Sequence, residues 1–104
     1  MEEKITAVYL LAWKSELLPE DGDSFERPME NQKKECFEFL RSKGIDASKA
    51  VVYTSRKDLL KDVDRDLIAR LVVHDLNRLG ANREDIDGIL FELKMREVEV
   101  LSVS

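Results

Sequence analysis

Cysteine is almost missing from this chain. Cys36 is the only one, so no disulfide can form within it, and a reducing compartment is expected. Histidine is equally scarce. His74 stands alone, and a metal site needs several ligands at fixed spacing, so neither a metal nor a cofactor is expected. The glycines, Gly22, Gly44, Gly80 and Gly88, are isolated from one another, which excludes a glycine-rich phosphate loop. The longest apolar run, Ala7 to Trp13, falls far short of the ~20 residues a membrane helix requires. The Met-Glu-Glu start lacks the basic and apolar regions of a secretory leader, so a cytoplasmic location is expected. A basic excess is also lacking. Lys and Arg number 17 against 22 Asp and Glu, for a net charge of -5. Non-specific grip on nucleic acid comes from a basic face, and this composition does not advertise one.

What is present suits one folded domain spanning residues 1–104. Hydrophobic residues make up 43% and charged residues 38%, the balance of a single core under a heavily solvated surface. Ile5 to Trp13 is apolar on both faces apart from Thr6, as in a central strand covered by helices on both sides. Lys14 to Arg27 is acidic, aperiodic and punctuated by Pro19 and Gly22, and reads as a long, solvated, mobile loop. Pro28 suits the first turn of a helix. Met29, Cys36, Phe37 and Leu40 follow on one side, and Gly44 supplies a stop. Ala50 to Tyr53 is a short strand. Ser55-Arg56-Lys57-Asp58 opens a second helix with Leu59, Leu60 and Val63 on its apolar side. A third strand lies within Leu67 to Leu76, centred on Leu71-Val72-Val73. Asn82 caps a third helix carrying Ile86, Ile89, Leu90 and Leu93. Glu97-Val98-Glu99-Val100 alternates as an edge strand does. Cys36 and the phenylalanines Phe37, Phe39 and Phe91 are assigned to packing.

Strand–helix alternation with right-handed crossovers predicts a three-layer α/β/α fold on a mostly parallel sheet of about four strands, in the order 2-1-3-4. The topological switch falls between strands 1 and 3, where open α/β sheets bind ligands beyond the carboxyl ends of the strands. This nominates Lys14-Ser15-Glu16 and His74 to Arg78, with Arg56 nearby. Ser15 is then a candidate nucleophile. Arg56 and Arg78 are candidate phosphate-binding and catalytic groups, because a guanidinium holds phosphate oxygens bidentately and keeps its charge. Asp75 invites a phospho-acceptor reading, but Trp13-Lys14-Ser15 supplies no acidic pair to hold Mg²⁺.

The run Val72-Val73-His74-Asp75-Leu76-Asn77-Arg78-Leu79-Gly80-Ala81-Asn82 resembles the resolvase/invertase family of serine recombinases, whose catalytic domain carries an apolar strand, then Asp-Arg-Leu-Gly-Arg, then a helix. Tyr9 is similar to the Tyr of that family's Tyr-x-Arg-x-Ser. Glu30-Asn31-Gln32 resembles the Asn-Gln of its first long helix, and Ser55 to Leu60 resembles its arginine-bearing segment after strand 2. The resemblance implies a resolvase-like fold and a serine that attacks a DNA phosphodiester, with arginines neutralising the transition state. It also implies DNA or a recombinase-related protein as partner. Arg78 and Arg56 match catalytic arginines. Leu11 falls where the strand-1 arginine belongs and Trp13 where the serine belongs. Ala81 replaces the second arginine of the loop and Asn77 its aspartate. Losing such a charge-stabilising donor costs roughly 3–4 kcal/mol of transition-state stabilisation.

The expectation is therefore an inactive resolvase-like domain serving as a binding or regulatory module. Two alternatives stand beside it. One is an active recombinase catalytic domain that uses Ser15 and lacks its DNA-binding part. The other is a flavodoxin-like interaction domain. If the Trp13 indole occupies the space beside Arg78, the active reading loses its ground.

Overall fold

The computed structural model describes residues 4–104. The described residues form four strands: β1 (Ile5–Tyr9), β2 (Val51–Tyr53), β3 (Ile68–Val73) and β4 (Glu99–Ser102). The helices are α1 (Glu26–Ser42), α2 (Arg56–Asp64) and α3 (Arg83–Met95). All ladders are parallel and the order is β2-β1-β3-β4. The sheet is thus fully parallel, in the order the alternation implies.

Side-chain alternation divides the core between the two faces. Ala7, Tyr9, Leu71 and Val73 point to one face, with Leu59 and Val63 of α2 and Ile89 and Leu93 of α3. Val8, Leu10 and Val72 point to the other, against Cys36 and Leu40 of α1. Both central strands are therefore buried on both sides, which is why β1 reads as a continuous apolar run. Cys36 is fully buried, as expected of a packing residue, and burial pushes its thiol up to about 11. Phe37 and Phe39 pack against the α1-side core. Phe91 does not belong to a core. It lies two residues past Ile89, off the buried stripe of α3, and is 64% exposed.

Each helix ends the same way. Gly44, Asp66 and Glu97 take left-handed φ values of 72°, 62° and 58°. The next residue's N–H then bonds back six residues' span to a helix carbonyl: Ile45 to Leu40 at 2.9 Å, Leu67 to Asp62 at 3.1 Å and Val98 to Leu93 at 2.9 Å. These bonds satisfy carbonyls that the helix ends would leave orphaned. Only the first uses glycine. The third explains why β4 starts at Glu99 instead of Glu97: Glu97 and Val98 belong to the cap of α3, and Val98 packs into the core.

Candidate functional site

Beyond their carboxyl ends, β1 and β3 part company. The chain after β1 leads to α1 on one face, and the chain after β3 leads to α3 on the other. The crevice this opens is the switch point of the sheet. The ladder of β1 stops at Tyr9, short of the run's end at Trp13. Leu10 N donates to Tyr53 O at 2.9 Å, the last such bond to that neighbour. Leu11 is then taken by a side chain. Its N–H donates to Gln32 Oε1 at 3.0 Å, and its carbonyl accepts from Gln32 Nε2 at 2.9 Å. Gln32 reaches in from α1 and is 4% exposed. A buried amide thus does for Leu11 what a neighbouring strand would do, which satisfies the backbone where the sheet has ended.

Arg78 sits across the crevice on a single 3-10 turn, Leu76–Leu79, and is 6% exposed. Its donors are almost fully spent. Nη1 donates to Glu16 Oε2 and to the Leu11 carbonyl, both at 2.7 Å. Nη2 donates to Glu16 Oε1 at 2.8 Å, and Nε to Asp75 Oδ2 at 3.1 Å. The Trp13 ring covers the guanidinium face at 4.0 Å. A buried arginine requires such partners. Here they are two carboxylates, so the local charge is neutral to negative. The hydrogen bond from Arg78 holds the Glu16 carboxyl below its ordinary value, and Glu16 in turn raises Arg78. At Asp75 burial acts upward, but hydrogen bonds from His74 and Arg78 outweigh it and the carboxyl is lowered.

The acidic stretch expected to be a mobile loop is organised by its own carboxylates. Lys14–Glu16 and Pro19–Asp21 each form one 3-10 turn. Glu16 Oε2 accepts from Trp13 N, and Asp21 Oδ2 accepts from Leu18 N, both at 2.7 Å. Arg27 ties the stretch together, donating to Asp21 Oδ2 and to the Glu16 carbonyl at 2.8 Å each. Ser15 rides on the first of these turns. It is exposed and does not line the polar cavity beside Arg78. Arg56, on α2, donates to Asp85 Oδ1 at 2.8 Å, and the other oxygen of Asp85 accepts from Ala81 N at 2.9 Å. Arg56 and Arg78 share no hydrogen-bond partner. The three nominated residues therefore lie on three separate elements, and each arginine is held by a carboxylate.

His74, partly buried, bonds Asp75 at 3.1 Å through Nδ1 and Glu35 of α1 through Nε2. It links the end of β3 to α1. Among the described residues no cluster of acidic, histidine or cysteine side chains has the makings of a metal site. No described helix is long and apolar enough to cross a membrane.

Glu16 lies in a segment the sequence nominates and Gln32 in the family resemblance, but the role of neither, on Arg78 and on Leu11, is readable there. Glu16 did carry a local signal, a carboxylate three residues after the start of a turn, the spacing that caps a backbone N–H. Its bond to Arg78 joins residues far apart in the chain and carries none. A pH dependence follows. A carboxyl lowered on folding contributes stability that is complete above its unfolded value and is lost as pH falls through the folded value. Glu16 starts from 4.5 and Asp75 from 3.8. Urea midpoints will therefore fall as pH drops below 4.5, and Glu16→Gln will flatten that slope.

No protein-family model and no curated protein matches the chain. Solved structures do match. The C-terminal catalytic domain of ISC1926 TnpA, an IS607-like serine recombinase, superposes with a TM-score of 0.70 at 12% identity, over 95% of this chain and 67% of that one. The N-terminal catalytic domain of TP901-1 integrase gives 0.68 at 16% identity, over 96% and 77%. A serine recombinase from Sulfolobus solfataricus gives 0.66 at 13% identity, over 98% and 69%. What this chain shares with them is the fold.

Proposed function

We propose that this chain, folded as the serine recombinase catalytic domains are, is a catalytically silent resolvase-like domain acting as a binding or regulatory module in the cytoplasm. Its partner is DNA or a recombinase-related protein. The observation that carries this reading is the state of Arg78. A guanidinium that stabilises a phosphoryl transition state must be aimed at the position where charge develops. Arg78 is instead bonded to Glu16 and Asp75 and roofed by an indole. Arg56 is likewise paired, with Asp85. Both guanidinium groups remain at the carboxyl-end edge of the sheet, where a phosphate would approach, but Arg78 is almost fully spent on its own chain, while Arg56 is paired through one nitrogen only.

The second reading, an active DNA recombinase domain using Ser15, draws on one observation: Ser15 precedes Glu16 in the turn that touches Arg78. A nicking and covalent-adduct assay on supercoiled DNA separates the two. Wild-type protein is expected to nick no DNA and form no covalent adduct. An adduct that disappears in Ser15→Ala would overturn the proposal.

A further inference from the structure

Beside Arg78 lies a cavity of about 230 Å³ lined mostly by polar side chains, among them Glu16, Arg27, Asn31, Gln32, Glu35, His74 and Arg78, with the second carboxylate, Glu35, bonded to His74 Nε2. Its walls are built, not incidental. Gln32 and Arg78 are 4% and 6% exposed, and surrounding bonds fix both of them. Each also has a donor to spare. One amide hydrogen of Gln32 goes to Leu11, leaving the second. Arg78 uses both Nη1 hydrogens, its Nε hydrogen and one at Nη2, leaving the last. Arg27 adds a second guanidinium at the rim.

The group that fills the fork of Arg78 is less firmly built. Glu16 ends a turn of only three residues, and its side chain is 28% exposed. Its two oxygens sit on Nη1 and Nη2 at 2.7 and 2.8 Å. That is the pose two phosphate oxygens take on an arginine.

We propose that Glu16 is a tethered occupant of an anion site built on Arg78 and Gln32, and that its displacement admits a phosphate-bearing ligand. This rests on the reading that the domain binds rather than cleaves. A carboxylate held on a short tether competes at high effective concentration, so it masks the site until a ligand with more contacts displaces it. Trp13 reports the exchange. It is the only tryptophan in the chain, its backbone N–H donates to Glu16 Oε2 and its ring lies on Arg78. Loss of the Glu16 contact frees the first bond and changes the second.

The test is a Trp13 fluorescence titration of wild type and Glu16→Gln with inorganic phosphate and, separately, with dimethyl phosphate. Sodium chloride at matched ionic strength is the control, and circular dichroism checks that each variant is folded. Glu16→Gln is expected to bind at least about tenfold more tightly than wild type, since the intramolecular competitor has gone. A preference for inorganic phosphate would identify a terminal phosphate as the ligand group, and equal binding of dimethyl phosphate a nucleic-acid backbone. Equal affinity of wild type and variant overturns the tethered occupant while leaving the anion site standing. No binding to either protein overturns both the occupant and the anion site, yet leaves catalytic silence to be judged by the adduct assay. If Glu16→Gln does not fold, Glu16→Asp decides. It keeps the charge but shortens the reach, so it is expected to bind about threefold more tightly than wild type, and no gain overturns the proposal.

Discussion

Replacing Arg78 by leucine will destabilise the fold by about 3 kcal/mol, measured as a shift in the urea midpoint at unchanged slope. Leucine ends at Cδ and cannot reach the slot under Trp13 that the guanidinium fills, so a cavity adds to the loss but is not its main term. The loss comes from what is left behind. Glu16 and Asp75, with side chains 28% and 21% exposed, would face each other with no cation between them. The Leu11 carbonyl would lose one of its two donors. Removing one partner of a buried ion pair costs more than the pair contributes, because the orphaned charge remains. Acid tells this mechanism from simple misfitting. The variant should recover part of its deficit as pH falls below 4.5, where Glu16 takes up its proton. A loss below about 1 kcal/mol would mean that Arg78 is a surface arginine after all.

Gln32→Leu is the second large effect, at about 2–3 kcal/mol. Leucine fits the volume, but the amide bonds Leu11 in both directions. Without it the Leu11 N–H is left with no acceptor. A buried backbone donor without a partner carries its full desolvation cost. Gln32→Glu is the informative companion. A carboxylate still accepts from Leu11 N but meets the Leu11 carbonyl with no hydrogen to give, so an intermediate loss is expected. Hydrogen exchange at the Leu11 amide should rise in Gln32→Leu, while exchange at Val8 in the strand centre stays slow.

Much of the fold was legible because the strands advertise their burial. Ala7 to Leu10 and Leu71 to Val73 are apolar on consecutive positions, which only a doubly covered sheet accommodates, and alternation with helices then dictates parallel pairing and the observed order. The boundaries were less legible. The apolar run continues to Trp13, yet the ladder ends where β2 runs out at Tyr53 and Gln32 takes over. Glu97-Val98 alternates like a strand, yet non-glycine residues in left-handed conformation had already claimed it for a helix cap. Phe91 was assigned to packing by its hydrophobicity, though its position lies off the buried stripe of α3.

The site divides in the same way. That Leu11, Trp13 and Arg78 converge followed from the resemblance and from the switch point of the sheet. That a carboxylate from the following turn sits on the arginine did not, because pairing between Glu16 and Arg78 leaves no trace in local spacing. The two largest predicted losses therefore fall at the long-range contacts, Arg78 with Glu16 and Leu11 with Gln32, that sequence patterning is least able to express.

The central claim is that Arg78 is already occupied by groups of its own chain. Side-chain ¹⁵N NMR of the wild-type protein tests it most directly. Held by Glu16, Asp75 and Leu11 beneath the Trp13 ring, the Arg78 guanidinium of the ligand-free protein should give separate, slowly exchanging Nη signals with cross-relaxation to the indole. A single averaged signal in fast exchange with water, in the absence of any ligand, would contradict the account.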